Sequence, residues 1–382
     1  MSFFHIENDD QARTLARDLE GRNRFALDLE AAGFHRYTDR LSLVQLTTPA
    51  ETYVIDPFTV DVEALLRPAL EDPRVQVVMH GADYDLRLLQ RDLGIRLRGL
   101  FDTQIAAMLL GEPGVGLQAL LESKLGVRLS KKHQRADWAQ RPLTEDMLDY
   151  AADDTRYLLD LADLLVQDLE EKGRLAWADE ENRILEETAG GPVEEKAPVD
   201  PVTKVKGARG LPPRSVMAIR EALEWRENIA RERDRAPFRV IGEQPLVEAA
   251  LNPPSTARDL SRIKGFPRGL AGKDGAELLR RIREVHALPD ADVEGYPKRA
   301  RERSERPPPE LEDLADRLKA VRNRKAEELG LERGVLMPNA TVYAVAWHDP
   351  GDLAALANVP GVRQWQVEVL GEEFLEVLLH HG

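Results

Sequence analysis

The chain contains no cysteine. Disulfides, thiolate nucleophiles and cysteine-ligated zinc or iron–sulfur centres are therefore excluded, and the composition fits an intracellular, cytoplasmic setting. Aromatic residues make up only 5% of the sequence, and the eight histidines are scattered without the spacing of a metal-binding pair. No run approaches the roughly 20 apolar residues of a membrane span, so no membrane partner is expected. The segment Met1–Asp10 has neither a basic flank nor a long apolar core, so it does not read as a secretory leader.

Positive charge is also in short supply: 53 Lys and Arg stand against 68 Asp and Glu, a net charge of −15. Taken alone, that argues against a nucleic-acid partner, but the charge is unevenly spread. Residues 1–200 carry 23 basic and 39 acidic side chains, residues 201–300 carry 20 and 14, and residues 301–382 carry 10 and 15. The basic middle third is the part suited to holding a phosphate backbone. A chain of 382 residues, 42% hydrophobic, exceeds what one core usually serves, so two or three domains are expected.

What the sequence does contain is organised around Phe25-Ala26-Leu27-Asp28-Leu29-Glu30, two acidic residues one position apart in an apolar run. Bounded by Gly21-Arg22-Asn23 and Gly33, the run predicts a strand. Residues i and i+2 share a strand face, so Asp28 and Glu30 point one way and Phe25, Leu27 and Leu29 the other. Adjacent carboxylates repel, and unless a cation sits between them at least one takes up a proton. Hard divalent metals prefer such oxygen ligands. A solvated edge face is the other reading of the same pair.

Three further segments follow in order. In His80-Gly81-Ala82-Asp83-Tyr84-Asp85, Asp85 falls in the first turn of a predicted helix, where the helix dipole favours an acid anyway. Phe101-Asp102-Thr103-Gln104 reads as another helix start. In Tyr150-Ala151-Ala152-Asp153-Asp154, within a helix predicted over 144–165, Tyr150 and Asp154 are i and i+4 and share a face.

Asp28-x-Glu30, Asp85 and Tyr150-x-x-x-Asp154 together resemble the three motifs of the DEDDy 3′-to-5′ exonucleases. Ser42-Leu43-Val44-Gln45-Leu46, Ile55-Asp56-Pro57, Phe101-Asp102-Thr103 and Asp137-Trp138 followed by Arg141-Pro142-Leu143 narrow the resemblance to ribonuclease D. Residues 1–190 then form one unit, strands first and alternating helices after. This order implies an α/β mixed sheet flanked by helices, the RNase H-like fold that the resemblance also implies. Lys131, Lys132 and Arg135, in the loop before Trp138, are either a solvated turn or phosphate contacts. Trp138 itself is assigned to core packing.

Residues 191–209 and 289–309 read as linkers, polar and rich in Gly or Pro. The helical segment 210–288 between them resembles an HRDC domain, a small all-α nucleic-acid-binding module, with Arg231, Arg235 and Arg239 as candidate phosphate contacts. Residues 310–382 repeat the helix and turn order as a diverged second HRDC-like copy. Its acidity favours a packing or partner role over phosphate binding.

The resemblance implies that Asp28, Glu30, Asp85 and Asp154 hold two divalent ions, Mg²⁺ or in substitution Mn²⁺, with Asp28 bridging them. Metal pairs of this kind stand about 3.5–4 Å apart. Tyr150 orients the attacking water, and no organic cofactor is implied. The implied substrate is the single-stranded 3′ end of RNA, transfer-RNA precursors in particular, released as nucleoside monophosphates. Two alternatives remain at this point: a 3′-to-5′ DNA exonuclease of the same superfamily, and a non-catalytic nucleic-acid-binding scaffold.

Overall fold

The computed structural model describes residues 3–130, 132–191, 199–297 and 308–380. The first unit contains β1 (Phe4–Ile6), α1 (Asp9–Leu19), β2 (Arg24–Ala31), β3 (Leu41–Thr47), β4 (Thr52–Ile55), α2 (Val62–Leu70) and β5 (Gln76–Met79). It continues with α3 (Asp83–Leu88), β6 (Leu100–Asp102), α4 (Thr103–Leu110), α5 (Leu117–Leu120), α6 (Glu145–Arg156), α7 (Leu158–Glu171) and α8 (Leu175–Ala189). The six strands form one mixed sheet in the order β1-β4-β3-β2-β5-β6. β2 is central, antiparallel to β3 and parallel to β5.

The alternation in β2 divides the molecule into layers. Phe25, Leu27 and Leu29 enter a core with α1, α2 and α3 residues such as Leu15, Leu66 and Leu86. Ala26 faces the other way, toward Leu158 and Leu161 of α7. α6 lies across β2, β3 and β4 on that second side. Trp138 is 2% exposed and packs with Leu43, Val54, Met147 and Ala151 beneath α6, as the core assignment expected. The single helix predicted over 144–165 is two helices, broken at Tyr157.

α8 has no counterpart among the predicted elements. It covers the edge strand β6, whose Leu100 amide donates to Glu186 (2.7 Å) and whose Asp102 amide donates to Asn182 (3.1 Å). These two bonds occupy outward-facing amides of the edge strand that would otherwise be open to pairing.

The second unit comprises α9 (Pro213–Glu232), α10 (Pro237–Val240), α11 (Glu243–Leu251) and α12 (Lys273–Ala287). Part of the expected 191–209 linker belongs to it. Val202, Val205 and Ala208 are buried in its core, because a spacing of three residues lines up one side of successive 3₁₀ turns. Part of the 289–309 linker is also held: Arg220 donates to Gly295 O (3.1 Å), and Tyr296 packs on the same core.

The third unit comprises α13 (Pro309–Leu329), α14 (Arg333–Leu336), α15 (Asn339–His348), α16 (Leu353–Ala357) and α17 (Gln364–Leu379). It shares one continuous core with the first: Leu109, Leu161 and Leu165 join Leu314, Leu318, Val345 and Phe374. Each such side chain contributes about 1.5–3 kcal/mol by leaving water. Trp177 of α8 stacks on Trp365 with centroids 4.7 Å apart, and Glu180 accepts the Gln364 and Trp365 amides at the start of α17. A methyl group on Gly111 would stand 2.0 Å from Gly330 O, so the backbones meet where only glycine fits. No described helix is long and apolar enough to cross a membrane.

Arg141 joins the loop before α6 to the sheet. Its guanidinium donates to both Asp56 oxygens (2.5 and 2.8 Å), to Ser42 O and to Trp138 O. Burial alone would raise the Asp56 carboxyl, but the bonds from Arg141 and the Phe58 amide outweigh it and hold the group below the usual carboxylate range. Folded protein thus gains stability from this pair above the unfolded pKa of about 4 and loses it as pH falls through the lower folded value. Arg141→Met should cost about 3 kcal/mol at pH 7, the order of an unpaired buried charge. The deficit should shrink at pH 4.5, where the stranded Asp56 protonates; equal urea midpoints for variant and wild type at pH 7 would disprove the account.

Candidate active site

Three elements deliver the acidic residues to one cleft. β2 supplies Asp28 and Glu30 on a common face, pinned by the Asp28–Gln45 and Glu30–Leu43 pairing with β3. The register shifts after Glu30, which turns the strand out into the loop that follows. α6 supplies Asp154, with Tyr150 one turn earlier. α3 supplies Asp85 from its first turn. One oxygen from each of Asp28, Glu30 and Asp154 lies within 4.8 Å of the others. Asp85 is outside that trio, but its charge reaches Glu30 and it is itself acted on by Asp28.

Among the described residues none of these four carboxylates forms a salt bridge with Lys, Arg or His. The consequence is visible in their proton affinity. Burial pushes Asp28 up to about 7, and burial with the Asp28 and Asp153 charges pushes Asp154 up to about 8. Glu30 and Asp85 also stand well above their ordinary values, through burial first and the neighbouring acids second. A partly buried cluster of oxygen donors with no salt-bridging protein cation fits hard divalent metal ions, which would supply the missing positive charge.

The turn that carries Asp85 is built by Asp102. This carboxylate is 1% exposed and accepts the amides of Gly81 (2.9 Å), Ala82 (2.7 Å) and Gln104 (2.8 Å). It caps α4 as a helix start should, and it also fixes the β5–α3 turn, a second role that its sequence context does not reveal. Gly81 sits there at φ +69°, a conformation that favours glycine. Thr103 donates its hydroxyl proton to Met79 O, so the 2.9 Å contact with His80 is a bond from His80 Nδ1–H. This fixes the His80 tautomer and leaves its other ring nitrogen as an acceptor.

Two cavities flank the cluster. One of about 630 Å³ is lined by Tyr150, Asp154, His80, Gln118, Ser130 and Gln134. The other, about 450 Å³, is lined by Glu30, Phe34, Tyr84, Gln134, Arg135 and Trp138. The Tyr150 ring is set between His133 and Trp138, at centroid distances of 6.0 and 6.1 Å.

The candidate phosphate contacts are dispersed. Lys131 lies outside the described residues. Lys132 pairs with Asp146 at 2.5 Å, and the exposed Arg135 borders the second cavity. Arg231 and Arg239 point back at the first unit rather than forming a separate basic face: Arg231 donates to the Tyr37 hydroxyl (3.2 Å) and Arg239 to Phe34 O (2.8 Å). Arg235 is exposed on the turn between α9 and α10, its amide donating to Ala230 O.

The profile of the family described as 3′-5′ exonuclease matches residues 3–170, and that of the HRDC domain matches 217–282 and again 312–378. Ribonuclease D of Granulibacter bethesdensis is 32% identical over 97% of this chain and 91% of that protein. Ribonuclease D of Pseudomonas paraeruginosa is 31% identical over 98% and 96%. The crystal structure of Escherichia coli RNase D, described as an exoribonuclease involved in structured RNA processing, aligns with all of this chain and 99% of its own at a TM-score of 0.65 and 26% identity. The exonuclease profile spans every residue of the carboxylate cluster and the relatives span nearly the whole chain, so the protein belongs to the ribonuclease D family of 3′-5′ exoribonucleases.

Proposed function

We propose that the carboxylate cluster is the cleavage centre and that it removes nucleoside monophosphates from single-stranded 3′ ends of RNA, transfer-RNA precursors among them, in the cytoplasm. Asp28, Glu30, Asp85 and Asp154 would hold two divalent ions, Mg²⁺ or in substitution Mn²⁺. When bound, such ions supply an acidified water and neutralise charge on the scissile phosphate. The observation that carries the reading is a set of partly buried, mutually repelling carboxylates with no salt-bridging cation among the described residues, placed between two cavities. Both cavities fall in the range of about 300–1,000 Å³ typical of ligand sites.

The chain's own groups have separable tasks. Asp28 and Glu30 are fixed by the sheet, so the cluster does not need to reorganise as charge develops, the condition for effective electrostatic catalysis. Tyr150 is held by Trp138 and His133 one helical turn from Asp154. Burial, then the Asp154, Glu30 and Asp28 charges, push its hydroxyl above the ordinary tyrosine value. A protonated hydroxyl there orients water and does not abstract a proton. The working division is an exonuclease domain over 1–190, HRDC modules over 210–288 and 310–382, and phosphate contacts from Lys131, Lys132, Arg135, Arg231, Arg235 and Arg239.

A 5′-labelled single-stranded RNA and the DNA of the same sequence, each with Mg²⁺, Mn²⁺ or EDTA, test the reading directly. A ladder shortening from the 3′ end of RNA, abolished by EDTA and far slower on DNA, is expected; equal cutting of DNA would replace the substrate assignment. Asp154→Asn should lower turnover by roughly 10²–10³-fold or more, the order of one lost charge interaction at a water-poor centre. Asp28→Asn should do the same and yet raise the melting temperature in EDTA, since it relieves repulsion. Normal turnover in either variant would remove these residues from the centre. Tyr150→Phe should slow turnover without changing the Mg²⁺ concentration that gives half-maximal rate; a shift in that concentration would instead make Tyr150 part of the metal site.

A further inference from the structure

The loop after β2 carries Phe34, 41% exposed, and α10 of the first HRDC module carries Phe238, 52% exposed. The two rings come from different domains and meet at a centroid distance of 5.5 Å with planes at 53°. Arg239 lies over the Phe34 ring at 4.6 Å, and Arg135 approaches the same ring at 5.8 Å. The arrangement is fixed from several sides. Arg239 Nε donates to Phe34 O (2.8 Å), the Ala236 amide donates to His35 O (3.0 Å), and His35 Nε2–H donates to Arg135 O (2.8 Å). Gly33 closes the loop: its amide donates to Asp39 (2.9 Å), and a Cβ at this position would stand 2.4 Å from the same oxygen.

Two half-exposed phenyl rings would be buried against each other if packing were their only use. Phe34 instead lines the cavity that Glu30 lines, with Tyr84, 48% exposed, on its wall, and Phe238 extends that wall through its contact with Phe34. Open aromatic faces beside guanidinium groups are the chemistry that receives single-stranded nucleic acid, the rings stacking on bases and the cations meeting phosphates. We propose that Phe238 and Phe34, with Arg239 and Arg135, form a composite nucleobase-stacking subsite at the mouth of the cleavage cleft. The first HRDC module is then one wall of the active site and not only a distant tether. The inference rests on the reading of Asp28, Glu30, Asp85 and Asp154 as the cleavage centre.

The test uses full-length protein and a set of 5′-labelled ten-nucleotide oligoadenylates in which an abasic ribose replaces one base at a time across the 3′ half. Binding is measured with the cleavage-deficient Asp154→Asn chain in Mg²⁺. Loss of the base at one or two positions should weaken binding by roughly tenfold to a hundredfold, the worth of one base–aromatic stack. Adding Phe238→Ala should erase that position dependence, and Phe238→Trp should restore it. If the abasic penalty is unchanged by Phe238→Ala, or if the variant only lowers the melting temperature, the rings are an interdomain packing contact and the inference fails while the cleavage centre stands. If the Asp154→Asn chain shortens the oligonucleotides at the wild-type rate, the cleavage centre itself is misassigned.

Discussion

Four carboxylates held together in one cleft are the constraint on which the structure turns. Isolated in water they would separate; here β2, α3 and α6 hold them where burial and mutual repulsion raise their proton affinity. The unfavourable energy has to be absorbed by the scaffold. The apolar faces do so: Phe25, Leu27 and Leu29 anchor one side of β2 with essentially complete burial, and α6 is held on the other by Trp138, Met147 and Ala151. Divalent cations would convert the same repulsion into affinity, which is why a site that is unfavourable for the empty protein is useful for a metal-dependent one.

The supporting layer is polar and is built from residues remote in sequence. Asp102 fixes the turn before Asp85, its own amide is taken by Asn182, and Glu186 takes the next free amide along β6. α8 thereby connects the motif-bearing sheet to the third domain, through Trp177 on Trp365 and Glu180 on the start of α17. The third domain is thus part of the exonuclease scaffold in energetic terms, since its buried Leu314, Leu318, Val345 and Phe374 belong to the same continuous apolar core as Leu109 and Leu165. Its acidity causes no conflict, because the acids at this contact come from α8: Glu180 accepts the Gln364 and Trp365 amides and Glu181 pairs with Arg363.

The carboxylate cluster was legible in the sequence because its pattern is local: Asp-x-Glu on a strand, an acid in a first helical turn, and Tyr and Asp one turn apart each follow from short-range periodicity. The mixed sheet, the two helical modules and the buried Trp138 were legible for the same reason. β1 and β6, three residues each, are too short for alternation to register. α8 carries no motif, and the partners of Asn182 and Glu186 are backbone amides that no sequence pattern names. Arg231 and Arg239 are singled out in the sequence by their charge; the fold adds that Tyr37 and Phe34 O lie opposite them. The linkers were drawn too long because Val202, Val205 and Ala208, separated by polar residues, look like linker until a 3₁₀ turn aligns them.

The two HRDC modules show how one small helical fold is put to different uses by its surface. The first meets the exonuclease domain through directional contacts: guanidinium groups on aromatic rings, Arg36 with Asp234 at 3.6 Å, and the Tyr37 amide on the same Asp234. Asp234 itself sits at φ +44°, a conformation that aspartate tolerates better than most side chains. Such an interface is polar, and it leaves Phe238 half-exposed beside Phe34. The second module meets the same domain through a shared apolar core and a tryptophan stack, bordered by the Arg363–Glu181 ion pair and the Glu180 bonds to the start of α17. The basic module thus packs against the loop that follows the carboxylate-bearing strand, and the acidic one against α8 and the core behind it. An acidic surface at the cleft would repel a phosphate backbone, whereas behind it the Trp177–Trp365 stack and the Glu180 bonds back α8, and through Asn182 and Asp102 the turn bearing Asp85.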